Sequence, residues 1–134
     1  VGAGGFAKLA NQIVVALNIA AVSEAFVLGQ KAGLDPEKLF QAIRGGLAGS
    51  NVMDAKIPMI VDRNFKPGFK IKLHNKDIKN ALATAASLHV PVPLTGLVEQ
   101  MFSALLVDDK GELDHSAIIQ FSEKLAQIEV RKER

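Results

Sequence analysis

From Phe6 to about Ala32 the chain has no proline and a single glycine, Gly29, while apolar residues recur on several faces of a helical wheel rather than along one stripe. This pattern predicts one long helix buried nearly all round, which at about 1.5 Å per residue spans roughly 40 Å, the width of a small domain. Gly33 supplies its stop, because glycine takes the left-handed conformation past a helix end without steric cost. Asp35-Pro36-Glu37 then starts a second helix, with Asp35 as cap, Pro36 in the first helical position and Glu37 facing the positive end of the dipole. Leu39, Phe40 and Ile43 are expected to point inward before Gly45-Gly46 breaks it.

Ser50 is placed to cap a third segment running through Met53 towards Pro58, and Asp62 to Gly68 reads as a turn. A fourth helix, from about Lys70 to His89, is expected to bury Ile71, Ile78, Leu82 and Ala85, with Pro91 and Pro93 closing it. Thr95 is expected to cap a fifth helix through Leu106. After the loop Asp108 to Gly111, Asp114 is expected to cap a last one in which Ile118, Phe121, Leu125 and Ile128 keep the helical period. No segment alternates for long enough to make a strand, no repeat is present, and the basic tail after Val130 is expected to fray. The expected architecture is therefore an all-α, multi-helix single domain over residues 1–134, built around one long N-terminal helix.

Composition narrows the class. With 49% hydrophobic residues in 134, the chain can bury a sizeable core, but seven Phe and no Trp or Tyr leave most of the packing to aliphatic side chains. The absence of cysteine removes disulfides, thiolate metal sites and cysteine nucleophiles, and is compatible with a reducing cytosol. No basic region precedes an apolar stretch at the start, and the apolar run from Ile13 to Val22 is interrupted by Asn18, so no membrane segment is expected and the protein is read as cytoplasmic. A net charge of +2 leaves any case for nucleic acid to local clustering. His74, His89 and His115 share no ligand spacing, and no metal site is expected.

Lys8 falls in the expected opening turn of the first helix, where a cation opposes the positive end of the dipole. Either it is a solvated lysine tolerating a few tenths of a kcal/mol, or it has a task. Asn11, Gln12 and Asn18 fall within roughly 80° of it on the same face, so an ammonium and three amides line a polar strip on an otherwise apolar helix. An ammonium with a pKa lowered by the dipole and partial burial can donate a proton near neutrality, while amides hold hydroxyl or carboxylate oxygens. The amides can equally satisfy nearby polar groups, and for Asn18 that reading is preferred.

The stretch Gly2-Ala3-Gly4-Gly5-Phe6-Ala7-Lys8-Leu9-Ala10-Asn11-Gln12, with Ser23-Glu24-Ala25 further along, resembles the catalytic-lysine motif of the β-hydroxyacid dehydrogenases. Arg44 to Ser50, Asp62 to Phe69 and Leu73-His74-Asn75-Lys76-Asp77 resemble successive later blocks of that family's tartronate semialdehyde reductase branch, in order and at similar spacing from Gly2 to about Val130. The resemblance implies a C-terminal domain like that of 6-phosphogluconate dehydrogenase, serving NAD- or NADP-dependent interconversion of a small hydroxyacid and its aldehyde acid. It makes Lys8 the general acid/base, Asn11 and Gln12 the substrate amides and Lys76 a cofactor contact. It also implies an N-terminal Rossmann domain, outside this chain, that binds most of the cofactor, and a homodimer or higher homo-oligomer. Gly2-x-Gly4-x-x-Ala7 is not itself read as a dinucleotide loop, since no strand precedes it.

Two other readings remain open at this stage. A helical dimerisation module without chemistry would suit the apolar spine equally well. A nucleic-acid binder using Arg63, Lys66, Lys70, Lys72, Lys76 and Lys79 is disfavoured by the lack of interleaved aromatics. Phe65 and Phe69 are either pocket walls or core.

Overall fold

The computed structural model of the protein describes residues 2–133. The long helix α1 spans Ala3–Lys31, one turn earlier than the Phe6 start that the sequence suggests. Ala3 favours helix and Gly4-Gly5 merely weaken it, so the helix extends back to Gly2, whose carbonyl accepts from the amides of Gly5 (3.0 Å) and Phe6 (3.2 Å). Lys8 consequently sits in the second turn, where the dipole has largely faded, rather than in the opening one. Past the other end Gly33 has φ +89°, the left-handed conformation expected of it.

Four of the remaining helices follow with small corrections. In α2, Pro36–Ile43, Pro36 takes the first position, but the Asp35 carboxylate accepts no capping bond. The loop behind it needs Gly49, because a Cβ there would lie 1.8 Å from the Arg44 carbonyl oxygen. Ser50 caps α3, Asn51–Val61, by accepting from the Met53 amide at 2.9 Å, and the helix continues through exposed Pro58 at the loss of one internal bond. α4 spans Ile71–Ser87. α5 spans Pro93–Val107, so Pro93 starts a helix as well as ending the connection before it, and Thr95 is buried in the first turn instead of capping.

The C-terminal stretch departs most from the pattern. The Asp114 carboxylate does cap, accepting from the Ser116 amide, but the first turn is a 3₁₀ helix, His115–Ile118, before α6, Ile119–Ala126. Gln127 takes a left-handed conformation that ends α6, so Ile128 lies beyond the helix; within α6 the packed face is that of Ile119, Ser122 and Glu123, and Leu125 on the other side is 74% exposed. The tail is tied down rather than frayed. Val130 is fully buried, the Lys132 amide donates to the Val61 carbonyl, and the Lys132 ammonium pairs with Asp62. Among the described residues there is no strand, only an isolated bridge between Lys70 and Asp114.

Each of the other helices packs on α1. By length and apolarity alone α1 could cross a bilayer, yet here it is the axis of the bundle. It is not buried nearly all round as its pattern suggests, because the neighbours cover one side and leave Val14 and Leu28 exposed. Its N-terminal half shares a core with Ile71, Ile78, Phe102 and Ile118. Its C-terminal half shares another with Phe40, Ile57, Ile60 and Ile119. Phe65 packs against both. Fully buried Phe26 and exposed Leu125 therefore make a discriminating pair. Phe26→Ala should cost about 3–5 kcal/mol in urea unfolding, and Leu125→Ala less than about 0.5 kcal/mol, although the helical period places Leu125 inside.

Candidate functional site

Helix α4 lies along the N-terminal half of α1 and presents Asp77 to the polar strip. The Gln12 side-chain amide donates to one Asp77 carboxylate oxygen at 2.9 Å, and the Lys8 ammonium stands 3.5 Å from the other. The Asn11 side-chain amide donates to Oε1 of the Gln12 side chain at 2.9 Å. Lys8 and Gln12 are thus joined through one carboxylate that is itself largely buried, and Asn11 is attached to them through the Gln12 side chain. Lys8 is not partly buried as expected, since 65% of its side chain is open to solvent. An ion pair so exposed contributes at most about 1 kcal/mol, so the ammonium remains free to meet another oxygen. Asn18 is drawn elsewhere and accepts from the Ser50 hydroxyl at 3.1 Å.

Lys76 precedes Asp77 on α4 and is exposed, with no ion-pair partner among the described residues. Its neighbours on the basic stripe differ from one another. Lys70 and Lys72 share Glu112, and Arg63 is held by Glu123 at 2.5 and 3.0 Å, while Lys79, like Lys76, has no such partner. Of the six cations in the supposed basic strip, Arg63, Lys70 and Lys72 are thus engaged by carboxylates, the last two by the same one, so the strip is neutralised only in part. Lys76 stays available beside the Lys8 cluster.

Behind the strip lies a buried polar layer. His74, fully buried, places Nε2 3.1 Å from the backbone carbonyl of Gln12 and Nδ1 2.8 Å from Nδ1 of His115. Phe69 packs on both imidazoles, with centroids 5.4 and 5.5 Å away, and Phe102 on His74 at 5.1 Å. Phe69 thus packs on the imidazoles and Phe65 on both cores, each half-buried. Burial pushes the His115 imidazole down to about 4, helped by the charge of Lys56 and by His74. Burial lowers His74 as well, outweighing the Gln12 carbonyl and the charges of Asp77 and Asp114.

Asp114 anchors this layer. Its buried carboxylate accepts from the Gly68 and Phe69 amides at 2.9 and 3.0 Å, from the Ser116 amide at 3.1 Å, and from the Lys56 ammonium at 3.1 Å. Burial alone would raise its pKa; Ser116 and the amides of Phe69 and Gly68 overcome that and hold it well below the usual carboxylate range. The amides carry the effect, because the buried Ser116 hydroxyl completes no hydrogen bond. Among the described residues no three His, Asp or Glu side chains gather as a metal site would need.

Sequence reasoning overlooked two members of this arrangement. Asp77 is legible only as half of a Lys-Asp pair, and His74 only as one of three scattered histidines. Their spacing, three residues apart on α4, is the signal that both face α1.

A protein-family model described as NAD-binding of NADP-dependent 3-hydroxyisobutyrate dehydrogenase matches residues 2–122, and the chain belongs to that family. Use of a nicotinamide dinucleotide, NAD or NADP, goes with it. Among relatives, the chain is 43% identical over 125 residues to 2-hydroxy-3-oxopropionate reductase of Escherichia coli, covering 93% of this chain and 43% of that protein. It is 34% identical over 130 residues to 2-(hydroxymethyl)glutarate dehydrogenase of Eubacterium barkeri, with 96% and 43% covered. Its fold matches the solved 3-hydroxyisobutyrate dehydrogenase of Mycobacterium tuberculosis with L-serine, at TM-score 0.82 and 33% identity over 90% of this chain and 43% of that one. It also matches the enzyme of that name from Salmonella typhimurium, at TM-score 0.85 and 27% identity over 89% and 42%. The chain spans less than half the length of these relatives.

The histidine pair has a consequence for stability. Both folded-state values lie below the ordinary 6.5, so the unfolded chain takes up protons first as pH falls. The pair's contribution is complete above about pH 6.5 and declines as pH drops towards 4. Urea midpoints should therefore be level above neutrality and fall below pH 6.5, with a shallower fall in His115→Gln; equal slopes in both proteins would refute the assignment.

Proposed function

We propose that this chain is the helical, C-terminal part of an NAD(P)-dependent oxidoreductase of small β-hydroxyacids, with Lys8 as its general acid/base. The favoured reaction is reduction of tartronate semialdehyde to glycerate. The observation that carries the reading is the convergence of Lys8 and Gln12 on Asp77, with Asn11 bonded to the Gln12 side chain, in a strip open to the outside. The 43% identity to a 2-hydroxy-3-oxopropionate reductase supports the substrate, since that name denotes the same aldehyde acid.

The dinucleotide, when bound, supplies the hydride to the aldehyde carbon. Lys8 then delivers a proton to the carbonyl oxygen as it becomes a hydroxyl, and takes that proton back in the oxidising direction. Gln12 and Asn11 offer amide donors and acceptors to the substrate's carboxylate and hydroxyl groups. Asp77 orients both Lys8 and Gln12 from the α4 side. Lys76 suits a polyanionic dinucleotide, because no carboxylate among the described residues neutralises it. A Rossmann domain outside this chain would provide most of the cofactor's contacts.

We also read the chain as part of a homodimer. Val14 and Leu28 stand exposed on α1, and Leu17, Ala21, Ala25 and Ile43 continue an apolar groove between α1 and α2. Sedimentation at tens of micromolar, a range that fills interfaces of about micromolar affinity, should show a dimer. A monomer throughout would remove this part of the reading.

The catalytic part is tested in the enzyme that joins this chain to its cofactor-binding domain. Lys8→Ala should lower kcat by about 10²- to 10⁴-fold with dinucleotide KM little changed, whereas Lys76→Ala should raise dinucleotide KM. Unchanged turnover in Lys8→Ala would leave a non-catalytic helical module as the better reading.

A further inference from the structure

The imidazole of His74 touches neither solvent nor the strip of side chains around Lys8, yet it is bonded to the backbone that carries them. A carbonyl oxygen can only accept, so His74 Nε2 must bear the proton directed at Gln12. In the neutral ring Nδ1 is then an acceptor, and the 2.8 Å contact requires that His115 donate from its own Nδ1. One chain of polarity results, from His115 to His74 to the Gln12 carbonyl. Phe69 and Phe102 pack on His74 and leave it little room to turn.

The carbonyl of Gln12, inside α1, also accepts the ordinary helical bond from the Ala16 amide. The His74 bond therefore does not rescue an orphaned group. What it adds is a link between helices. Asp77, one turn further along α4, holds the Gln12 side chain and faces Lys8. Helix α4 thus grips Gln12 twice, by its backbone through His74 and by its side chain through Asp77. The first grip fixes where α1 lies against α4, and the second depends on that placement. A displacement of the order of 1 Å at such a site can cost about a hundredfold in rate.

We propose that His74 is a positioning residue for the Lys8 site: its Nε2–H sets the register of α1 on α4, and His115 holds it in the tautomer that can do so. The inference rests on the functional reading of Lys8 given above. An alternative role, stability alone, makes a different forecast, because replacing both partners of a buried hydrogen bond by apolar groups of similar shape can be nearly neutral. The double variant His74→Phe/His115→Phe should keep the fold and still lose the register.

Two experiments test this. In the unaltered chain, long-range nitrogen–proton NMR of the imidazoles should find His74 protonated at Nε2 and His115 at Nδ1 at neutral pH, with exposed His89 as internal reference. The opposite tautomer at His74 would overturn the proposal whatever the variants do. In the joined enzyme, His74→Phe and the double variant should lower kcat by about ten- to a hundredfold while substrate KM stays within about twofold. His74→Gln, whose amide N–H can reach the Gln12 carbonyl, should recover most of the loss. Full kcat in both phenylalanine variants, alongside loss in Lys8→Ala, would sink the positioning role and leave Lys8 intact. Full kcat in Lys8→Ala would sink both together.

Discussion

Because α1 carries apolar side chains around nearly its whole circumference, no single neighbour can cover it, and every other helix packs on it while one apolar face, at Val14, Ala21 and Ala25, stays open. Its length then divides the interior in two. The first half organises a core with α4 and α5, the second with α2, α3 and the C-terminal residues, and Phe65 closes the gap between them. Burial of this kind is not directional and does not by itself say how far α4 slides along α1. The polar contacts supply that.

Those contacts are few, and each secures a segment that the apolar core leaves loose. Asp114 ties the turn at Gly68-Phe69, helix α3 through Lys56, and the 3₁₀ turn to one buried carboxylate. Arg63 ties the end of α3 to Glu123 on α6 and to the Val130 carbonyl, which is why the basic tail is ordered as far as Lys132. Removing one member of such a buried pair strands the other charge and costs about 3–5 kcal/mol. The histidine pair is the uncharged counterpart between α1, α4 and the 3₁₀ turn.

Some features are decided by local physics alone and are legible in the sequence. Gly33, Pro36, Ser50 and Asp114 do at their positions what conformational freedom, a preset φ and a short polar side chain dictate. Others depend on the competition of two local signals or on distant contacts. Pro93 and Thr95 both suit a helix start, and the proline wins because its missing amide costs nothing in the first turn. Leu125 keeps the helical period counted from Ile118, but a 3₁₀ turn precedes α6 and the face that packs is that of Ile119, Ser122 and Glu123, which leaves Leu125 on the far side. The candidate site was legible for Lys8, Asn11 and Gln12, which share one helix face. Asp77 lies 65 residues from Gln12, and His74 lies 41 from His115. Periodicity within one helix carries no information on which other helix will face it.

The exposure of Lys8 fits the proposed role better than burial would in this chain by itself. A buried ammonium needs a strong partner, and a tight partner would hold the proton that the reaction has to move. Here Asp77 is buried and Lys8 is not, so the carboxylate is fixed by the Gln12 amide while the ammonium meets it at only 3.5 Å. The pair is loose on the side that faces outward. Closure of that side by substrate, cofactor and a second domain would exclude water and strengthen each electrostatic interaction in the strip. The geometry of the amides and of Asp77 is set beforehand by α1 and α4, so closure need supply only the low dielectric and the reacting groups. Preorganisation on the helical half and desolvation from outside are then separate contributions, and the long apolar helix is what allows the first to exist without the second.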